Sequence, residues 1–357
     1  MTYSPFRHLG SVLWKRHPIQ LTYFLTRRCN ARCPFCFYLS RETGPAAPEL
    51  SLVEISRIAA SLDQLLWLAF SGGEIFLRQD IVDIARIFYE RNRPAIILLP
   101  TNGLLTATIR ARTEEILKQC PKSTVVVKLS LDGPPEIHDA MRGVKGSHAK
   151  TLATGAALGE LASVYPNFEM GINSVFCADN QEYVEGLIDE VLTIPHIKTH
   201  TVSLIRGEVS RPGLKEVDLE KYRRVIRKLE GNLKRKIAAT YGFRGGKLKA
   251  AQDILQRELI YRTALEQRPQ LPCHAGRLNL VLTETGDLYP CESFTDKFGN
   301  LREHGYDVQK LLDSKRGRDL VRTIRRGCHC THECYMMTNI LFNPALYPRL
   351  LKEYLRL

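Results

Sequence analysis

Between Gln20 and Ile205 short apolar runs alternate with stretches whose apolar residues recur every three or four positions. Strand-length runs separated by helix-period segments are the pattern of repeated βα units around a parallel sheet, so the fold class is α/β. Six strands are predicted, at Gln20–Thr26, Leu65–Ser71, Ala95–Pro100, Thr124–Leu131, Phe168–Phe176 and Thr199–Ile205. Between them Leu52, Ile55, Ala59 and Leu62 share one helical face, as do Ile81, Ile84, Ala85 and Phe88. Each segment can therefore lay an apolar stripe on a sheet.

The pattern changes after this region. Residues 217–267 are charged and helix-rich, broken by Gly242-Phe243-Arg244-Gly245-Gly246, and read as a bridge over 211–270. Arg277–Thr283 and Asp287–Cys291 then flank Glu284-Thr285-Gly286, which predicts a hairpin whose glycine takes a positive φ. Two short helical patterns and three cysteines follow. The end, Asn343–Leu357, gathers Leu346, Leu350, Leu351, Tyr354 and Leu355 into an amphipathic helix expected to pack on the domain. Before the first strand, Phe6, Leu9, Val12, Leu13 and Trp14 interleave with Arg7, Lys15 and Arg16. This reads as a first helix covering the sheet's lower end, or alternatively as a segment docking on an anionic membrane.

An apolar fraction of 44% and a charged fraction of 25% over 357 residues are those of a globular chain with a sizeable core. The net charge of +13 adds the expectation of an anionic partner or surface. Met1 to Pro18 holds no apolar run long enough for a signal peptide or a spanning helix, which predicts a cytoplasmic protein. In that reducing setting the ten cysteines read as metal ligands or buried thiols rather than disulfides. Cys120 and Cys177, in helical and strand contexts, are expected to be buried apolar thiols. The isolated His138, His148 and His274 take surface or structural roles by default.

The other eight cysteines fall into two groups. Cys29, Cys33 and Cys36 lie in Cys-Asn-Ala-Arg-Cys-Pro-Phe-Cys, just past the first strand, where α/β barrels assemble their sites. Three thiolates so spaced can hold three corners of a [4Fe–4S] cube and leave one iron open; a zinc knuckle lacking its fourth ligand is the plainer alternative. This spacing, with Phe35 before the third cysteine, resembles the signature of the radical S-adenosylmethionine superfamily. Gly72-Gly73-Glu74 at the second strand end resembles that family's Gly-Gly-Glu motif, which holds the methionyl amino group. Asn102 and Asp132, in Thr101-Asn102-Gly103 and Ser130-Leu131-Asp132-Gly133, occupy family positions for polar cofactor contacts, with ordinary turn chemistry as the alternative. The resemblance implies that Ser130 meets the ribose and Arg142 the methionyl carboxylate.

Cys273, Cys291, Cys328, Cys330 and Cys334 form the second group, and Cys273 with Gly286 and Cys291 resembles the start of the SPASM and Twitch extensions, which bind auxiliary clusters. Five cysteines where SPASM carries seven point to Twitch with one cluster. Because Cys328-His329-Cys330 is tight for two ligands of one cube, Cys330 and Cys334 are preferred over Cys328; a zinc site using His329 or His332 is the alternative. Glu292 follows Cys291 where sulfatase-maturing relatives carry an acidic base, and could act as one if burial raises its pKa, or else support the cluster.

The resemblance thus implies a partial (β/α)6 TIM-like barrel over 15–210 and a small Twitch/SPASM-like domain over 271–357. It implies S-adenosyl-L-methionine, a radical-generating [4Fe–4S] cluster, a second auxiliary [4Fe–4S] cluster and an electron donor such as flavodoxin or ferredoxin. A 5′-deoxyadenosyl radical would abstract a substrate hydrogen, ending in oxidation or bond formation. The short stretch before the first strand leaves no room for a leader-binding segment, favouring a small molecule, sugar or lipid over a peptide, which a separate partner could still deliver. A non-catalytic metal protein binding nucleic acid is the reading from another class, and leaves the strand-end motifs without a purpose.

Overall fold

In the computed structural model, which describes residues 2–15, 17–40 and 47–357, the six predicted strands are β1 (Gln20–Thr26), β2 (Trp67–Gly72), β3 (Ile96–Thr101), β4 (Thr124–Ser130), β5 (Phe168–Phe176) and β6 (Ile197–Leu204). They lie in sequence order, every neighbouring pair parallel. The returning helices are α1 (Leu52–Ala60), α2 (Ile81–Asn92), α3 (Thr106–Gln119), α4 (Pro135–Arg142), α5 (Ser147–Val164) and α6 (Val184–Thr193). Local sequence starts α1, where Ser51 accepts from the Glu54 N–H while the Glu54 carboxylate accepts from the Ser51 N–H.

Strand alternation separates core from lumen. On β4, Val125, Val127 and Leu129 pack into the main core, whereas Val126, Lys128 and Ser130 line the barrel cavity. The result is a partial α/β barrel.

The sheet continues beyond β1. β7 (Asn279–Leu282) runs parallel to β1, from Gln20 opposite Asn279 to Tyr23 opposite Leu282. β8 (Asp287–Tyr289) and β9 (Gly299–Asn300) then add antiparallel, giving nine strands in one sheet. The predicted hairpin is present, and Gly286 turns it with φ +92°. It extends the barrel sheet itself.

The segment between barrel and hairpin forms α7 (Leu219–Lys234) and α8 (Gly246–Glu266); after the hairpin come α9 (Val308–Leu312), α10 (Lys315–Gly327), α11 (Glu333–Leu341) and α12 (Tyr347–Arg356). Tyr222 of α7, Leu255 of α8, Ile340 of α11 and Leu350 of α12 share a second core with Phe176 and Leu204 of the barrel. This core holds α8 against the cavity. The helix expected at the chain start is a 3-10 helix, Pro5–Val12. Arg7 donates to the Leu65 carbonyl and the Tyr3 N–H to the Lys122 carbonyl, so this segment lies beneath β2 and β4. Leu9, Leu13 and Trp14 stay exposed, and Arg16 lies outside the described residues. Among the described residues no helix is long and apolar enough to cross a membrane.

Candidate active site and cluster-binding thiols

The loop carrying Cys29, Cys33 and Cys36 leaves the C-terminal end of β1 and is fastened by backbone contacts. The Gly73 N–H donates to the Thr26 carbonyl at 2.8 Å and the Glu74 N–H to the Arg28 carbonyl at 2.9 Å. A Cβ at Gly73 would stand 2.1 Å from the Arg28 carbonyl oxygen. The glycine is therefore required by the neighbouring chain, before any cofactor is considered. On the other side the Arg32 N–H donates to the Arg142 carbonyl at 2.9 Å.

Glu74 is buried at the centre of these strand ends. Its carboxylate accepts from the Thr101 hydroxyl at 2.9 Å and the Asn102 N–H at 2.8 Å, yet burial raises its pKa to about 7. Glu74 lines the cavity with Gly72, Gly73, Asn102 and Ser130, so a cationic group entering there would meet a carboxylate short of positive charge. Asn102 also donates to the Asn30 side chain in the cysteine loop at 2.7 Å.

Cys29, Cys33 and Cys36 line the same cavity. Burial raises the Cys33 thiol to about 11, with Cys36 and Cys29 adding to the rise against Arg142. Thiols that oppose one another's ionisation become thiolates together only when a cation joins them, and soft sulfur donors suit iron. Among the described residues no three His, Cys, Asp or Glu side chains converge as a single metal ion needs. Three thiols at one strand end are a donor set that suits an iron–sulfur cluster with one iron left open.

Arg142 and Asp132 are bound to each other. Asp132 is fully buried, away from the cavity wall, and takes the Arg142 Nε at 2.7 Å and Nη2 at 2.6 Å as well as the Val175 N–H at 2.9 Å. It holds Arg142 in place. The Arg142 guanidinium lies 5.1 Å from the Phe35 ring centre, with Nη1 3.9 Å from the Cys33 sulfur. His138 is buried as well, accepting the Asp132 N–H at 3.1 Å, and burial lowers its pKa to about 4.

A second polar group on the cavity wall comes from the C-terminal segment. His332 Nε2 lies 2.6 Å from Glu292, and Arg206, just past β6, stands 3.4 Å from Glu292 and 3.3 Å from Glu333. Burial alone would raise the Glu292 pKa, but His332 and Arg206 override it and hold the carboxyl at about 2. The anticipated rise toward neutrality is thus corrected by two partners the sequence did not reveal. Arg206 was missed altogether; its only signal is a basic residue immediately after an apolar strand.

The later cysteines divide. Cys273, Cys328 and Cys330 line one small cavity, and Cys291 is pushed up by burial and by Cys330, Cys273 and Cys328. Cys334 instead lines the main cavity beside Glu292 and His332, and burial with Glu292 raises it to about 12. Cys120 and Cys177 are buried, as expected. The main cavity, about 350 Å³, runs past both the three-cysteine loop and the Glu292 group.

A partial parallel barrel with three thiols at one strand end and a thiol-rich extension defines a radical S-adenosylmethionine enzyme of SPASM/Twitch type. Residues 23–189 match the Radical SAM superfamily. The chain is 34% identical over 339 residues to the antilisterial bacteriocin subtilosin biosynthesis protein AlbA of Bacillus subtilis (strain 168), covering 89% of this chain and 66% of that protein. It is 29% identical over 181 residues to a PqqA peptide cyclase of Rhodopseudomonas palustris, covering 50% of this chain and 44% of that one. The chain thus spans less than two thirds of these relatives' lengths. Its fold matches Streptococcus suis SuiB bound to S-adenosylmethionine (TM-score 0.61, 20% identity, 88% of this chain and 71% of that one). It also matches anSMEcpe with bound AdoMet (TM-score 0.62, 16% identity, 95% and 96%).

Proposed function

We propose that this enzyme modifies a peptide, removing a hydrogen atom from a residue held in the barrel cavity and leaving that residue oxidised or newly bonded. The observation that carries this reading is the 34% identity, over 89% of the chain, to a bacteriocin biosynthesis protein. The cyclase relative acts on a peptide by its name, and a solved structure of the same fold holds a precursor peptide. This reading supersedes a small molecule, sugar or lipid, because the named cyclase and the peptide-bound structure both point to a peptide.

Cys29, Cys33 and Cys36 would hold the cluster that binds S-adenosylmethionine, whose reductive cleavage supplies the hydrogen-abstracting radical. Glu74 would take the methionyl ammonium, Ser130 the ribose, and Arg142 the carboxylate through the Nη1 that Asp132 leaves free. Cys273, Cys291, Cys328 and Cys330 would hold the auxiliary cluster, leaving Cys334 on the cavity wall. After hydrogen loss, one electron and one proton must leave the substrate to give an oxidised product. The auxiliary cluster would supply an electron acceptor, and the hydrogen-bonded Glu292–His332 pair would take the proton.

The test uses reconstituted enzyme, S-adenosylmethionine, reductant and a candidate precursor peptide, deuterated at the residue to be modified. Deuterium in 5′-deoxyadenosine together with a lighter peptide is the expected result. Glu292→Gln should keep deuterium transfer but lose product by about a hundredfold, because it breaks the Glu292–His332 pair that would take the proton, a loss in the range of acid–base catalysis. Deuterium transfer from a small molecule and from no peptide overturns the reading.

A further inference from the structure

The lower part of the barrel cavity is built from groups that hydrogen abstraction does not use. Lys128 projects into the lumen from β4, only 8% exposed, and its amine donates to the Thr199 and Thr201 hydroxyls. Gly171 on β5 makes room for it, since a Cβ there would lie 2.5 Å from the Lys128 nitrogen. Across the lumen α8 contributes Lys249, Asp253 and Arg257. Asp253 is already engaged, accepting from Lys249 and from the Tyr241 hydroxyl.

Among the described residues, donors on this wall lack acceptors. Arg257 Nη1 and the Tyr222 hydroxyl are both buried on this wall without a hydrogen-bond partner. Arg257, Lys128, Tyr222 and Tyr241 all line this cavity, so these groups surround one space. Leaving buried donors unmatched is costly, which marks the space as one that receives an acceptor. Lys128, Lys249 and Arg257 face Asp253, and Glu169 stands nearby with one oxygen taken by the Gly242 N–H at 2.9 Å. With Lys128 protonated, three cations against two carboxylates leave one positive charge, which fits a monoanion better than a phosphate. Arginine's planar fork matches a carboxylate.

We propose that this subsite binds a substrate carboxylate, received by Arg257, Lys128 and the Tyr222 hydroxyl beneath the hydrogen-abstraction centre. The proposal rests on the peptide reading for its source, an acidic residue close to the modified one. No covalent step is involved; the contact fixes how deep the substrate sits and which residue meets the radical.

Anaerobic calorimetry on the reconstituted enzyme with S-adenosylmethionine tests this with three probes: acetyl-Gly-Glu-Gly-amide, acetyl-Gly-Gln-Gly-amide and glutarate. The Glu peptide should bind about ten- to a hundredfold tighter than the Gln peptide, the range for hydrogen bonds to a charged group. Arg257→Gln should remove that difference, with circular dichroism and iron content reporting that the variant is folded. Equal binding of the two peptides overturns the carboxylate subsite while leaving the peptide reading intact. Binding of glutarate with neither peptide keeps the subsite and overturns the peptide reading. No binding by any probe, or an undiminished preference in Arg257→Gln, also overturns the subsite.

Discussion

Lys128 occupies a strand position where a barrel ordinarily places an aliphatic side chain, and the protein retains it at a cost. Burial, with Lys249 and Arg257 adding to it and Asp253 and Glu169 opposing, lowers its pKa to about 7 from 10.5. Below pH 7 the amine is charged in both folded and unfolded chains, so the folded state bears the full burial penalty. Between about 7 and 10.5 the native amine loses its proton while the unfolded one keeps it, and the penalty fades. Lys128→Met should therefore raise the thermal midpoint most at neutral pH, by less as pH rises toward 10, and melts of both proteins across that range check it. A gap that widens with pH would contradict the assignment. The sequence displays a lysine between Val127 and Leu129, but not the cavity that Gly171 opens for it or the hydroxyls that receive its amine.

Among the elements, the cysteine loop shows most clearly what local sequence can and cannot convey. Its motif was readable because the ligands lie close together in the chain. The strands that frame it were readable too: β1 and β5 begin and end where the apolar runs do, and the others shift by a residue or two. What holds the loop was not readable, because the contacts join strand ends distant in sequence. Gly73 appeared to serve the cofactor, whereas its nearest neighbour is the Arg28 carbonyl. Gly73→Ala should thus push the chain around Cys29 out of place before any cofactor binds. Iron in the reconstituted variant is expected to fall from about eight to about four per chain, the content of one cube. Full iron with impaired S-adenosylmethionine binding would show that the glycine acts on the cofactor alone. Arg206 and His332 were equally out of sight, since they meet Glu292 only once β6 and the C-terminal segment are brought together.

At the scale of the whole molecule, the barrel and the cysteine-rich extension share one sheet. Composition and cysteine spacing distinguish them as two segments, and no short-range pattern announces that Asn279–Leu282 is the parallel neighbour of β1. A chain ending at residue 270 would lose β7 and expose one side of β1, whose residues are all buried here. An open apolar strand edge templates association, so this truncated chain should be recovered as aggregate even though all six barrel strands are present. A soluble monomer by sedimentation would refute the shared-sheet argument.

The same pairing sets a timetable for synthesis. Gln20 emerges early and its partner Asn279 more than two hundred residues later, an interval of roughly ten seconds to a minute at ordinary elongation rates. Throughout that interval one flank of the first strand has no native neighbour, while β2 to β6 emerge beside its other flank. The newborn barrel is thus most vulnerable to wrong pairing at its oldest strand, and becomes safe only when the last quarter of the chain leaves the ribosome.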